Sequence, residues 1–232
     1  MIKTVAIVSG GMDSIALVHH LVDQGHVVDV ISFDYGQRHR KELNFAQDCA
    51  ERLNLAWHLV DLSNLTDLLA TSALTNSVME VPDGHYAEDT MRITVVPNRN
   101  AIMLNIAAGL AVSIGAKHIA TGVHAGDHYI YPDCRPQFID ATERMLKIAN
   151  EGFINPEFSM LAPFVNSTKA DIARLGDRLN VPWESTWSCY KGNEIHCGAC
   201  GTCFERREAF AEAGINDPTN YSSTPDYVDP RK

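Results

Sequence analysis

The feature that most restricts how this chain can fold is Ser9-Gly10-Gly11-Met12-Asp13-Ser14. It stands directly after a β-branched run at 3–8 and directly before an apolar helical stripe from Ser14 to Val22. That is a strand, a glycine turn and a helix, and the pattern repeats. Val27 to Phe33 reads as a second apolar strand. Lys41 to Leu53 reads as a helix with Leu43, Ala46, Cys49, Ala50 and Leu53 on one face, and Trp57 to Leu62 as a third strand. Strands alternating with helices predict an α/β fold: a parallel sheet covered by helices and joined by right-handed crossovers. Farther along, the pattern predicts a helix over Ala101 to Ile114, a strand over His118 to Gly122, and helices over Phe138 to Asn150 and Thr168 to Leu179. The last opens on Thr168 with Asp171 three residues on, a capping-box-like start. A short helix is expected near Phe204 to Ala213.

Two segments break the alternation. Residues 64–94 dissolve into short polar pieces, and a loop of that length in a compact domain is usually functional or mobile. The Pro/Ser/Asp-rich tail from Asn216 to Lys232 is expected either to be disordered or to dock on a partner subunit. The domain reading is therefore an α/β domain over 1–182, a cysteine-bearing lobe over 183–215 and a tail over 216–232.

Net charge excludes one class of partner. Nineteen Lys and Arg against twenty-nine Asp and Glu leave −10, a surface that repels a polyanion. Extended DNA or RNA binding is not expected, since its affinity depends on phosphate neutralisation; a local basic patch can still hold a small phosphate compound. No stretch reaches the roughly 18 to 20 apolar residues of a membrane span, and the apolar run before Ser9 is too short for a signal peptide. A cytoplasmic location is the expectation.

The glycine loop suits phosphate. Two glycines let the backbone turn tightly and present N–H groups, the Ser9 and Ser14 hydroxyls stand beside them, and the helix N-terminus adds partial positive charge. It lacks the lysine of a GxxxxGK[ST] loop and is not GxGxxG. Asp13 adds a hard carboxylate oxygen fit for Mg²⁺ on a departing pyrophosphate. Arg99, just before one helix, and Lys169, in the first turn of another, sit at positive helix ends, where a bound anion would offset the cost. Arg38 and Arg40, beside His39, are further cations that could meet phosphate.

Four of the six cysteines, Cys189, Cys197, Cys200 and Cys203, fall within fifteen residues. Without an export signal such a cluster reads as a metal site rather than disulfides. Four thiolates suit tetrahedral Zn²⁺ and close its shell, which makes the ion structural; they also suit an iron–sulfur cluster, and His196 could replace one ligand. The stretch His124 to Arg135 follows a strand end. There Asp127 and Asp133 could take the donor edge of a guanine-like base and Arg135 could pair with a carboxylate. His124, Asp127 and His128 could also be read as a second metal site, although such groups at that spacing in a loop are more often ordinary loop polarity. Cys134 reads as packing rather than as a nucleophile.

The loop resembles the PP-loop of the adenylating ATP pyrophosphatase superfamily, whose members cleave ATP between the α and β phosphates and release pyrophosphate. Further pieces resemble the 7-cyano-7-deazaguanine synthase family: Phe33-Asp34-Tyr35-Gly36-Gln37-Arg38-His39, Val96-Pro97-Asn98-Arg99-Asn100, Thr121-Gly122-Val123, Tyr131-Pro132-Asp133-Cys134-Arg135 and Thr168-Lys169-Ala170-Asp171. With the C-terminal cysteines they run in the family's order over nearly the whole chain. The resemblance implies a five-stranded parallel sheet with ATP across the strands' carboxyl ends, and zinc on the four cysteines. It implies ATP contacts at Val8, Ser9, Gly10, Gly11, Met12, Asp13, Ser14, Ile15, Ala16, Leu17, Val18, Phe33 and Gly122. Catalytic roles fall to Asp13, Arg99 and Lys169, and substrate contacts to Tyr35, Gln37, Arg38, Asn100, Asp127, Asp133 and Arg135.

The implied reaction turns 7-carboxy-7-deazaguanine, ammonia and ATP into 7-cyano-7-deazaguanine, through an adenylated carboxylate and an adenylated amide, with Mg²⁺ accompanying ATP. A homodimer is the expected assembly, and the lack of a glutaminase motif implies free ammonia or a separate donor. Two departures stand out. Asn98 occupies a family glycine position, and His124 through Ile130 replaces a stretch that is usually acidic and Ser/Gly-containing. The second leaves the product open between nitrile and amide. Other readings are a tRNA-adenylating, thiolating PP-loop enzyme, and a non-catalytic nucleotide-binding zinc module. The first wants a basic surface and a free cysteine pair; the second leaves Arg99 and Lys169 unexplained.

Overall fold

Five strands are joined by helices along the chain: β1 (Ile2–Ile7), α1 (Met12–Asp23), β2 (His26–Asp34), α2 (Glu42–Arg52), β3 (Ala56–Asp61), α3 (Arg99–Ile114), β4 (His118–Ala120), α4 (Pro136–Ala149), β5 (Ser159–Leu161), α5 (Lys169–Arg178) and α6 (Gly201–Ala213). The computed structural model describes residues 1–76, 78–86 and 91–226. The strands form one sheet in the order β3-β2-β1-β4-β5, and every neighbouring pair is parallel. The α/β class and the five-stranded parallel sheet with helices on both faces are thus as expected.

Central strand β1 is closed off on both sides, with Thr4, Val5 and Ala6 fully buried, as a parallel sheet sandwiched by helices requires. On one face Val5, Ile31 and Ile119 pack with Leu104 and Ala107 of α3 and Leu146 of α4. On the other, Ala6, Val8 and Val30 pack with Ile15 and Leu17 of α1, Ala46 of α2, Ile172 of α5 and Phe210 of α6. The cysteine lobe is no separate globule: Trp187 and all four clustered cysteines belong to the first of these cores, and Trp183 to the second.

The strand order reverses between β1 and β4, so a crevice opens at their carboxyl ends, where open α/β sheets bind ligands. The chain leaves β1 into the Ser9–Ser14 loop and leaves β4 into Thr121–Val123.

Several boundaries differ from expectation. The third helix begins at Arg99 rather than Ala101, because Asn98 takes a left-handed conformation (φ 58°, ψ 14°) that swings the chain straight into the helix. Strand β5 has three residues, too few to show a period between Glu157 and Pro163. Within 64–94 there are 3₁₀ turns at Ser63–Leu69 and Arg92–Thr94; Ser77 and residues 87–90 lie outside the described residues. The tail as far as 226 is tied to its own chain. Asp217 pairs with buried Arg206 at 3.3 Å, and the Ser222 and Ser223 hydroxyls donate to Cys197 O at 3.1 and 2.9 Å, so it is placed against its own chain's lobe. Residues 227–232 of the tail lie outside the described residues.

Candidate active site

The site is built on the turn after β1. Gly10 has φ +98°, and a Cβ there would stand 2.0 Å from Glu42 O, so the turn accepts no side chain. The Gly10 N–H donates to Ser14 Oγ at 3.2 Å, the Gly11 N–H to Ser9 Oγ at 3.2 Å, and Ser14 Oγ to Gly11 O at 3.0 Å. These bonds hold both hydroxyls at the first turn of α1. From β4, Gly122 closes on that turn: a Cβ on it would lie 3.3 Å from Asp13 C. Val8, Ser9, Gly11, Met12, Asp13, Ser14, Phe33 and Gly122 line the resulting cavity. Ile15, Ala16, Leu17 and Val18 lie in the core beneath it, where they anchor α1 rather than face the cavity.

Lys169 is the charge centre of this end. The capping box fixes the start of α5: Thr168 Oγ1 accepts the Asp171 N–H at 3.1 Å and Asp171 Oδ2 accepts the Thr168 N–H at 3.0 Å. That places Lys169 Nζ 3.2 Å from Asp13 Oδ2 and 2.7 Å from Glu205 Oε2, with its side chain 13% exposed. Burial disfavours the ammonium, but Asp13, Glu205 and Asp127 outweigh it and raise the lysine above its ordinary value. His124, buried, accepts the Gly126 N–H on Nδ1 at 3.1 Å. Its Nε2 therefore faces Asp127 Oδ2 at 3.6 Å and Asp13 Oδ2 at 3.9 Å. Tyr86 donates to Asp127 Oδ1 at 3.1 Å.

The cavity's second buried cation is Arg99, the first residue of α3. Its guanidinium lies 5.6 Å from the centre of the Tyr35 ring, and Nη1 donates to the Tyr35 hydroxyl at 3.3 Å. Burial opposes the charge, while Tyr35, Tyr190, Tyr131 and Asp133 hold it in place. Burial also pushes the Tyr35 phenol up to about 12, so it stays a neutral donor. Tyr35, Tyr86, Tyr131 and Tyr190 all line this cavity with Asn100 and Asp127.

Other expected site residues have different employment. Gln37 is buried: its Oε1 accepts the Tyr35 N–H at 2.9 Å and its Nε2 donates to Phe33 O at 3.1 Å. Arg38 donates to Asn76 O at 3.0 Å and Met79 O at 2.7 Å, pinning that loop. Arg40 pairs with Asp34 at 2.6 Å. Asp133 accepts the Asn100 N–H at 3.3 Å, and Arg135 donates to His128 O at 2.8 Å on the exterior. Cys134 packs beneath, its Sγ 3.3 Å from Asn100 Nδ2, with its thiol pushed well up by burial. His128 does not join His124 and Asp127: among the described residues only the four cysteines satisfy metal-ligand geometry.

Those four Sγ atoms are buried and lie within 4.8 Å of one another, with Cys197 and Cys203 3.9 Å apart. A tetrahedron with metal–sulfur bonds of about 2.3 Å has edges of about 3.8 Å, so one ion fits the centre. Cys197 Sγ accepts the N–H groups of Ala199 at 3.4 Å and Cys200 at 3.2 Å, which turns the knuckle around the ion. His196 is occupied elsewhere, accepting the Ser188 N–H at 3.0 Å.

Glu42, His39, Glu205 and the tyrosines at 86, 131 and 190 were not among the residues expected from sequence. Two carried a signal: Glu42 lies on the same stripe of α2 as Ala46 and Cys49, and Glu205 on the same stripe of α6 as Thr202 and Ala209. An acid on a buried stripe is worth following.

The sequence profile of the family described as queuosine biosynthesis protein QueC matches residues 3–214. Proteins called 7-cyano-7-deazaguanine synthase from Brucella ovis and Brucella abortus are each 55% identical over 219 residues, covering 94% of this chain and 93% of theirs. Among solved structures, NMN synthetase from Francisella tularensis superposes with a TM-score of 0.51 at 15% identity, over 92% of this chain and 77% of that one. A 4-thiouridine synthetase solved with RNA and ATP superposes at 0.53 and 16% identity, over 91% of this chain and 51% of its own. At such identities these two likenesses concern the fold alone. No helix among the described residues is long and apolar enough to cross a membrane. Matched over nearly its whole length by profile and relatives alike, the chain belongs to the queuosine biosynthesis protein QueC family.

Proposed function

We propose that this protein makes 7-cyano-7-deazaguanine from 7-carboxy-7-deazaguanine, ammonia and ATP. One observation carries the reading at the site: a single cavity is lined by a serine–glycine loop with Lys169 and by Arg99 among tyrosines. A nucleotide's phosphates match the first. A flat, anionic heterocycle matches the second, with aromatic walls for its faces and a guanidinium for its carboxylate.

The chemistry follows from that placement. A carboxylate is a poor electrophile, so its oxygen attacks the α phosphate and pyrophosphate leaves, turning that oxygen into a leaving group. Lys169 stabilises the charge growing on the pyrophosphate, and the loop N–H groups and hydroxyls orient it. Ammonia then displaces AMP to give the amide; a second adenylation on the amide oxygen permits elimination to the nitrile. Asp13 is fitted to hold Mg²⁺, because its Oδ1 is buried without any hydrogen-bond partner while Oδ2 takes Lys169. When bound, that ion neutralises charge on the departing pyrophosphate. The four-thiolate site suits a structural zinc, which fastens the lobe carrying Trp187, Tyr190 and Glu205 against the cavity.

An endpoint assay with ATP, Mg²⁺, ammonium and 7-carboxy-7-deazaguanine, read by mass spectrometry, tests the reading. Nitrile with pyrophosphate is expected. Amide alone would place the end of the reaction one round earlier, at the altered 124–130 loop. Turnover only on adding tRNA would overturn the substrate assignment.

A further inference from the structure

A third polar wall of the cavity is used by neither the phosphate end nor the arginine end. It consists of His39 and Glu42, from the turn between β2 and α2 and the first residue of α2; both are more than nine-tenths buried and both line the cavity. His39 Nε2 lies 3.5 Å from Glu42 Oε1, and Gln37 Nε2 donates to the same oxygen at 3.2 Å. With Nε2 turned to a carboxyl oxygen, the imidazole keeps its lone pair on Nδ1, and that atom is buried without a partner. Tyr190 packs on the ring at 4.9 Å and fixes its plane. The backbone of Glu42 abuts Gly10, so the pair sits against the phosphate loop.

Such a wall offers a buried lone pair that nothing in the protein satisfies. A phosphate or carboxylate brings no donor to it, whereas a small molecule made only of N–H donors would satisfy both groups. We propose that His39 and Glu42 form the ammonia subsite of this enzyme, with Nδ1 and the Glu42 carboxyl accepting N–H donors and Glu42 removing the proton that ammonium must lose before it can attack. The proposal rests on the reaction put forward above. The step balances: Glu42 carboxylate and ammonium give the carboxylic acid and ammonia. The nitrogen lone pair forms the C–N bond at the adenylate carbonyl, the C–O bond breaks with its electrons going to AMP, and the surplus nitrogen proton leaves to water. Burial pushes Glu42 up to about 8, against the Gln37 hydrogen bond and the Arg99 charge, and a carboxyl in that range suits proton exchange with ammonium. The groups facing the pair are Gln37, Tyr35, Arg38, Arg99, Tyr190 and, from the cysteine cluster, Cys200.

Two readouts on the full-length enzyme separate this role from simple support. Exchange of labelled pyrophosphate into ATP, with 7-carboxy-7-deazaguanine and no ammonium, reports adenylation; an ammonium titration reports amination. Glu42→Gln, which keeps the shape, should raise the KM for ammonium at least about tenfold, the loss of one charge-assisted hydrogen bond. The KM for ATP read from exchange should move by less than about threefold. His39→Asn should shift the same way. Hydroxylamine, largely uncharged at neutral pH, should restore hydroxamate formation by Glu42→Gln to near the wild-type rate. Equal losses of exchange and amination, or an unchanged KM for ammonium in both variants, would overturn the subsite. Absence of exchange in the wild-type enzyme would instead remove the substrate reading, and the subsite with it.

Discussion

Lys169 Nζ and Glu205 Oε2 lie 2.7 Å apart, and that bond joins the phosphate end of the cavity to the cysteine lobe, since Glu205 stands two residues after Cys203. Lys169 neutralises Glu205 and Asp13, and in the proposed function it also meets phosphate. Lys169→Met should lower pyrophosphate release by about 10²- to 10³-fold, the usual effect of losing one preorganised electrostatic donor. It should also destabilise the fold by roughly 3 kcal/mol, because two half-buried carboxylates are left facing each other. Adding Glu205→Gln should return most of the stability and none of the activity. Urea unfolding and a pyrophosphate assay on the single and double variants separate the two; recovery of activity in the double variant would show that Lys169 serves structure alone.

The same link would tie a bound metal to the proposed chemistry. A closed four-thiolate site contributes folding energy outright, and its helix carries Glu205. One zinc per chain is expected by elemental analysis. Stripping it with a chelator should lower the melting temperature and abolish pyrophosphate release together, and Cys200→Ser should do the same. A stripped protein that kept its melting temperature would leave the cysteines as ordinary core.

How much of this was legible beforehand depends on sequence distance. The phosphate loop could be read because its parts are contiguous: Gly10 makes the turn, and Ser9, Asp13 and Ser14 are supplied within one helical turn. The capping box at Thr168 and Asp171 was legible for the same reason. Glu42 and Glu205 gave only the weaker signal of an acid on a buried stripe, because an acid on a helix looks like a solvated face until its distant partner is placed. Asp13 and Lys169 meet only because α1 and α5 pack side by side on one face of the sheet, which no local pattern states. Gln37 and Arg38 show the converse: polar residues in a matching motif hydrogen-bond to backbone N–H and carbonyl groups. Strand β5 is too short to carry a period of its own.

Asn98 offers a prediction on backbone grounds. It stands at φ 58° and makes no side-chain capping bond, so only its tolerance of the left-handed region matters. Asn98→Gly should keep full stability and activity. Asn98→Ala should cost about 1 kcal/mol, and Asn98→Val more, since a β-branched side chain fits that region worst. Thermal unfolding decides it, and a stable valine variant would mean the helix start can be rebuilt without the left-handed residue.

Stability should also peak in mildly acidic solution, for opposite reasons on its two sides. Burial holds Glu42 at about 8 in the folded protein against 4.5 ordinarily, so the native state holds its proton more tightly. The stability from that preference is fully present below 4.5 and is lost as pH rises toward 8. Burial and the nearby Arg99 and Arg38 charges hold His39 at about 3 against 6.5, so the native state resists its protonation. That contribution is present above 6.5 and is lost as pH falls toward 3. Between 4.5 and 6.5 the two slopes oppose and nearly cancel. Above 6.5 the Glu42 slope stands alone and below 4.5 the His39 slope does, each limited to about 1.4 kcal/mol per pH unit. Urea midpoints measured from pH 3.5 to 8.5 should therefore fall at both ends. Glu42→Gln should flatten the alkaline limb and leave the acid one, while His39→Asn should do the reverse. If either variant only displaces the whole curve without changing its shape, the titrating groups lie elsewhere.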